Sequence, residues 1–441
     1  MHRHAQKQII KCYLTSNYVA DSSWRDSTVL NCGVKMKIAY LTTEFPPRIY
    51  GGLGVYVECI SRELVALEQS VSVFVPGDAD LSSHEMAGGV EVFRETPVPM
   101  RDGLVPFFSE QTLAWGSGLD LLLDLLSYNQ LAASRLIQEG PNDLCVAHDW
   151  LGLPGALAVK QKGTPMIYHV HGLEAGRAEH PNPQLVSLEK RGAKAADLVI
   201  TVSEAMKEEL ADLGVPSEKI RVCYHGVDSE FFDPSRIDPA KLGRLRKQYS
   251  LDVDDIVILF IGRLEPVKGV IQFLQAIPKV LEKHPRVKLL MIGKGSLEEL
   301  VRSEVEKSGF LTLVTDFIDP EAKAYHYALA DLCVFPSLYE PFGIVALEAA
   351  AMGKAAVVGA SGVSGLREIV EHPGTKKPTG VHINPRDPGD IAWGINLALE
   401  DSDRLRAWGK NARERAQKNF TWRRAAEITL NTYREVAESR R

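Results

Sequence analysis

Two carboxylates form the sharpest chemical feature of the chain, the Glu-x7-Glu element made by Glu340 and Glu348. Glu340 sits in a Pro-Phe-Gly loop, and Glu348 lies inside the otherwise apolar run Ile-Val-Ala-Leu-Glu-Ala-Ala-Ala-Met. A helix that is apolar on every side is buried, and a lone carboxylate within it is costly unless it is hydrogen-bonded or neutralised. The adjacent sequence offers Glu348 no donor, which leaves the hydroxyls of a bound ribose as one partner and an Arg from another element as the alternative. Glu340, at the helix entrance, is placed to hold a sugar hydroxyl. The amides of Phe342, Gly343 and Ile344 can meet phosphate or sugar oxygens.

The segment Gly262-Arg-Leu-Glu-Pro-Val-Lys-Gly269 carries two cations, Arg263 and Lys268. A planar fork and a point charge flanking one turn can converge on a single anion. A departing pyrophosphate needs such neutralisation, because its charge grows as the bond to it breaks. Two solvated bases at a surface turn are the plainer alternative. In the loop running from Glu44 to Gly54, Gly51 and Gly52 allow close backbone approach to an anion at a helix start, although an ordinary βα turn has the same composition. Its spacing does not fit G-x-G-x-x-G, which argues against a nicotinamide cofactor. Two histidine segments complete the set, His148-Asp149-Trp150 and Tyr168-His-Val-His-Gly172. His171, beside a glycine at a strand end, is the better ligand contact, with a neutral imidazole able to donate to a sugar hydroxyl. His169 reads as structural, on the opposite face. Glu44 and Asp149 are further candidate acceptor or sugar contacts.

All of these segments follow strands. From Lys37 onward, short β-rich runs alternate with helical periods, the pattern of βαβ units and a parallel sheet. Strands are expected at 38–42, 71–75, 144–147, 166–170, 198–202 and 220–223. A Pro- and Asp-rich stretch, Asp228 to Pro239, interrupts the alternation. It resumes with strands at 256–261, 287–292, 311–314, 332–335, 355–358 and 380–383, and two helices close the chain. The expected fold class is therefore α/β, with two doubly wound parallel sheets facing across a cleft and ligands bound beyond the carboxyl ends of the strands.

A length of 441 residues suits two cores. The net charge of −6, without a basic stripe, argues against nucleic acid. The chain has no apolar stretch of about 20 residues, so no membrane span is expected. Six scattered cysteines without a C-x-x-C pair point to a reducing interior and to no metal cluster. Asp252-Val-Asp254 has metal-binding spacing but precedes a strand, which favours a solvated turn. There is no Gly-x-Ser-x-Gly elbow. Residues 1–35 are polar and unpatterned; the expectation is a disordered extension or an over-long start with Met36 as the first residue, a targeting peptide being the rival.

Together the motifs resemble, from about Met36 to the C-terminus, the retaining glycosyltransferases of the GT-B fold, glycogen and starch synthases in particular. The resemblance implies Rossmann-like domains at 36–228 on the acceptor side and 251–420 for the nucleotide sugar. A linker and helix at 229–250 would join them, and a final helix at 421–441 would cross back. It implies a cytoplasmic enzyme transferring glucose from ADP-glucose or UDP-glucose to an α-1,4-glucan, with no cofactor and no metal. Glu340 and His171 would contact the hexose, Arg263 and Lys268 the diphosphate, and Glu348 the ribose. Retention would proceed on one face, with the departing phosphate helping to deprotonate the acceptor and no protein nucleophile. Alternatives are a mannosyl-, sucrose- or maltose-phosphate-type transferase of the same fold, a phosphorylase requiring a pyridoxal lysine, and a non-catalytic sugar-nucleotide binder. Two departures are visible: Ile49 replaces the lysine usual in bacterial glycogen synthases, leaving Arg48 as the nearest base, and His225 replaces Asn in the Asn-Gly-Val-Asp loop.

Overall fold

The structure, a computed structural model, describes residues 35–178, 180–316 and 318–439. The expectations for residues 1–34 lie outside these. The chain divides into two units, Met1–Val146 with Pro154–Thr164, and Ala147–Leu153 with Pro165–Arg441.

The first unit contains β1 (Lys37–Leu41), β2 (Ser70–Pro76), β3 (His84–Ala87), β4 (Val90–Glu95) and the first residues of β5 (Leu144–His148), in the order β3-β4-β2-β1-β5. Strands β1, β2 and β4 run parallel, and their apolar side chains are buried on both faces, as covered parallel strands require. The Tyr128 hydroxyl, on the helix Ser117–Gln138, lies 2.7 Å from the carbonyl oxygens of Thr42 and Phe74, fixing that helix to the carboxyl ends of β1 and β2. The antiparallel β3–β4 hairpin was not expected. Strand β3 is largely exposed and lacks apolar alternation, while its turn uses Gly88 and Gly89 at φ 61° and 83°, the positive values a two-residue hairpin turn needs.

In the second unit β6 (Met166–Val170), β7 (Leu198–Thr201) and β8 (Ile220–Val222) pair in parallel. A six-stranded sheet follows, made of β9 (Ile256–Ile261), β10 (Val287–Ile292), β11 (Leu311–Val314), β12 (Leu332–Phe335), β13 (Ala356–Gly359) and β14 (Gly380–Ile383). Its order is β11-β10-β9-β12-β13-β14, with all recorded pairs parallel. The winding reverses between β9 and β12, the switch point at whose carboxyl ends doubly wound sheets take their ligands. The helices Val270–Leu281 and Pro388–Leu399 pack together, sealing Phe260, Phe273, Ile277, Met291, Val357 and Ile391 from water. Each such side chain contributes roughly 1.5–3 kcal/mol of burial.

The linker is pinned rather than loose. Arg413 pairs with Asp233 at 2.9 Å, and the Asp238 carboxylate caps the helix Pro239–Gln248 by accepting from the Ala240 amide at 2.8 Å. The final helix, Trp422–Glu438, lies beside the β8 end of its sheet: Val227 N–H donates to the Phe420 carbonyl at 2.8 Å, and Arg221 pairs with Glu435 at 3.1 Å.

Candidate active site

The loop after β9 holds the two expected cations, and the loop after β12 holds Glu340. Gly269 ends the first loop at φ 70°, and a Cβ there would lie 1.9 Å from the Pro336 carbonyl oxygen, so only glycine lets the two loops touch. The contact places Lys268 Nζ 2.6 Å from Glu340 Oε2, with the Ser337 hydroxyl donating to the same oxygen at 3.2 Å. Backbone bonds hold Glu340 against the loop after β13: its N–H donates to Val363 O at 3.1 Å, and its carbonyl accepts from Gly365 N at 2.8 Å. The pair is half-buried, which strengthens its attraction over that of an exposed one. Arg263 lies on the same loop with its side chain in solvent. Of the two cations, Lys268 thus meets a carboxylate of the protein and Arg263 does not.

Beyond Glu340 the helix Ile344–Ala351 begins at Gly343 (φ 107°) with no side-chain cap and no acid in its first turn. Phe342 beside it is buried against the His225 ring, at 4.9 Å between centroids. Glu348 has partners within the protein. Its donors come from the helix Pro320–Leu329, with Lys323 Nζ at 2.7 Å and the Tyr327 hydroxyl at 2.8 Å. Residues 25 and 21 positions earlier fold back to supply them, which local sequence could not reveal.

The first-unit loop behaves differently from expectation as well. Both Tyr50 N and Gly51 N donate to Glu44 Oε2, at 2.9 and 3.0 Å, so an internal carboxylate takes the Gly51 amide that an external anion was expected to meet. The helix begins at Gly52.

Histidine geometry carries a further correction. His169 and His171 are two residues apart at the end of β6 and share a face, as strand periodicity demands: their rings stack at 4.3 Å and 14°. His169 therefore does not point away. Ligand nitrogens of His148, His169 and His171 lie within 4.8 Å of one another, a cluster that the separation in sequence concealed. His148 Nδ1 is 3.0 Å from His171 Nε2, and His225 Nε2 is 3.3 Å from His171 Nδ1. Burial holds all four imidazoles well below their ordinary pKa, down to about 3 for His148 and His225, so they are neutral at pH 7.

Residues 243–415 match the model for glycosyl transferases group 1, and residues 51–226 that for the glycosyl transferase 4-like domain. Over 417 residues the chain is 31% identical to an uncharacterized glycosyltransferase of Methanocaldococcus jannaschii, covering 91% of this chain and 99% of that one. Over 420 residues it is 30% identical to a glycogen synthase of Mycobacterium tuberculosis, covering 90% and 94%. Among solved structures, a sucrose-phosphate synthase from Thermosynechococcus elongatus aligns with a TM-score of 0.74 over 92% of this chain and 100% of that one; at 24% identity this is a likeness of fold, GT-B. The chain belongs to the group 1 glycosyltransferases.

In this glycosyltransferase, three residues that the sequence did not single out organise the site. Asp149, itself a candidate, has φ 53°, an unusual backbone for a non-glycine residue. Its carboxylate accepts from the His171 N–H at 2.7 Å and from Arg177 at 2.8 Å, so it orients the His171 backbone. Arg177 is the first residue missed. Tyr339, next to Glu340, is the second: its hydroxyl accepts from Leu173 N at 3.0 Å and donates to Glu209 at 3.1 Å, joining the Glu340 loop to the segment after His171. Glu368 is the third, accepting from Glu204 N and Ala205 N, each at 2.9 Å, at the start of the helix Glu204–Asp212. A tyrosine adjoining a loop carboxylate was the one available signal. Among the described residues, no helix is long and apolar enough to cross a membrane.

Proposed function

We propose that this glycosyltransferase moves glucose from ADP-glucose or UDP-glucose to an α-1,4-glucan with retention of configuration. The observation that carries the reading is the Lys268–Glu340 pair at the switch point of the six-stranded sheet. A donor diphosphate reaching the start of the helix Ile344–Ala351 would compete with Glu340 for Lys268. It would gain the ammonium, the uncapped amides and the exposed Arg263 together, so cationic stabilisation increases as the leaving group's charge grows. Glu340, released from Lys268, would accept from a hexose hydroxyl. Glu348 would remain tied to Lys323 and Tyr327 and share its carboxylate with the ribose. The departing phosphate would take the acceptor proton, so the reaction calls for no nucleophile from the chain.

His171 is assigned to the hexose side. Both of its ring nitrogens face other histidines, so a sugar contact through the ring requires one of these to give way. The glucan acceptor rests on the similarity to a glycogen synthase. We place the donor lobe at 251–420, the acceptor-side lobe at 36–228, and the enzyme in the cytoplasm, where the buried free thiols Cys145, Cys223 and Cys333 would stay reduced.

Purified protein incubated with each sugar nucleotide in turn, plus maltose or glycogen, tests the reading by mass spectrometry. Products longer by one hexose from ADP- or UDP-glucose are expected. Transfer from a mannose nucleotide alone, or only onto a small phosphorylated sugar, would retire the glucan assignment while leaving the enzyme class intact.

A further inference from the structure

We infer that the buried imidazoles form a site for a borderline divalent metal ion, zinc or copper(II), and that occupancy blocks sugar transfer by taking His171. The ligand set determines the ion class. Nitrogens of His148, His169 and His171 lie within 4.8 Å of one another, and no carboxylate or thiolate belongs to the group. The nearby Asp149 carboxylate is committed to the His171 backbone and to Arg177. Imidazole-only sites suit zinc, copper and nickel, whereas magnesium and calcium require oxygen ligands.

The spacing is close to what coordination demands. At bond lengths of about 2.0 Å, two nitrogens of a tetrahedral zinc site lie about 3.3 Å apart. His148 Nδ1 and His171 Nε2 are 3.0 Å apart, so an ion between them needs only a slight opening of the pair. His169, stacked on His171, reaches the ion by turning its ring out of the 14° stack. His225 Nε2, 3.3 Å from the other nitrogen of His171, is placed to fix that ring's tautomer, the orienting role that a partner of a metal-bound imidazole plays. His171 is the edge through which an ion enters, being 8% exposed where His148 and His169 are sealed.

Inhibition by the ion rests on the transferase reading, whereas binding does not, so the two are measured separately. Binding is read by electron paramagnetic resonance of the full chain with one equivalent of copper(II). Three coupled imidazole nitrogens are expected, and a spectrum with one or none overturns the site. His2 and His4 lie outside the described residues and are a second source of imidazole. Isothermal titration with zinc therefore compares the wild type with His2→Ala/His4→Ala and with His148→Gln/His169→Phe. Stoichiometric binding should survive the first pair of changes and weaken at least a hundredfold in the second, whose folding is checked by its melting profile. Equal binding in all three overturns the proposal, and the copper spectrum of the wild type decides the matter if the second variant does not fold. If the site binds zinc and transfer proceeds unaffected, the inhibitory role fails. If transfer is absent under all conditions, the transferase reading fails and the metal site stands.

Discussion

The Lys268–Glu340 corner and the histidine cluster are two poles of the second unit, built on opposite electrostatic terms. At the first, a cation and an anion meet half-buried at 2.6 Å, and each compensates the other. At the second, four buried imidazoles crowd together, and burial keeps them neutral. The first pole can exchange its internal partner for a substrate anion. The second can orient and donate, but resists taking a proton.

The sharpest way to break this contrast is to remove the carboxylate. Glu340→Ala should lower kcat/KM by about a thousandfold or more, the scale of losing a group aimed at developing charge, with a lowered melting temperature because Lys268 is left half-buried without its carboxylate. Full activity in that variant would sink the assignment. Lys268→Met should follow, with the KM for donor rising on the order of a hundredfold through loss of a charge-assisted contact. Steady-state kinetics at varied donor checks this, and a fall in kcat at unchanged KM would place Lys268 elsewhere in the reaction. Arg263→Ala should cost about tenfold in donor affinity, because its fork begins in solvent. Titration with the free nucleoside diphosphate measures the loss directly, and equal affinity would exclude Arg263 from the diphosphate site.

The smallest expected effect lies in the pH profile of stability. His148 and His225 have folded values of about 3 against an ordinary 6.5, so between those limits the unfolded chain binds more protons and stability is lost as pH falls. His169 and His171 shift in the same direction. Glu189 and Glu209 oppose them: burial raises each to about 7 from 4.5, so the folded state binds more protons in that window and gains stability as pH falls through 7. His284, His326 and His382 are lowered as well and Glu58 is raised, so seven imidazoles against three carboxyls predict a net fall in Tm on acidification from pH 6.5 to 5. Scanning calorimetry should show a shallower fall in His148→Phe/His225→Phe, and an unchanged slope would mean the cluster is not neutral.

Much of the scaffold was legible in the sequence because a parallel strand buried on both faces is a short apolar run with sharp ends. Five strands of the six-stranded sheet (β9, β10, β11, β12 and β14) have the expected limits, and β13 is displaced by one residue. The hairpin β3–β4 escaped because an exposed edge strand carries no such pattern. Glu340 and Lys268 were legible for a related reason: both lie in loops directly after strands, where the winding rule puts ligands.

The sequence by itself determined which chemical groups stand at which strand ends, because apolar periodicity fixes the strands and the chain delivers the next loop at their tips. Only the tertiary structure decided which groups meet. Lys323 and Tyr327 reach Glu348 from a neighbouring helix, Glu44 takes the Gly51 amide, and His148 joins His171 across 23 positions of chain. The reason is physical. Burial and pairing energies depend on separation in space, and in a doubly wound sheet neighbours in space come from distant segments of the chain.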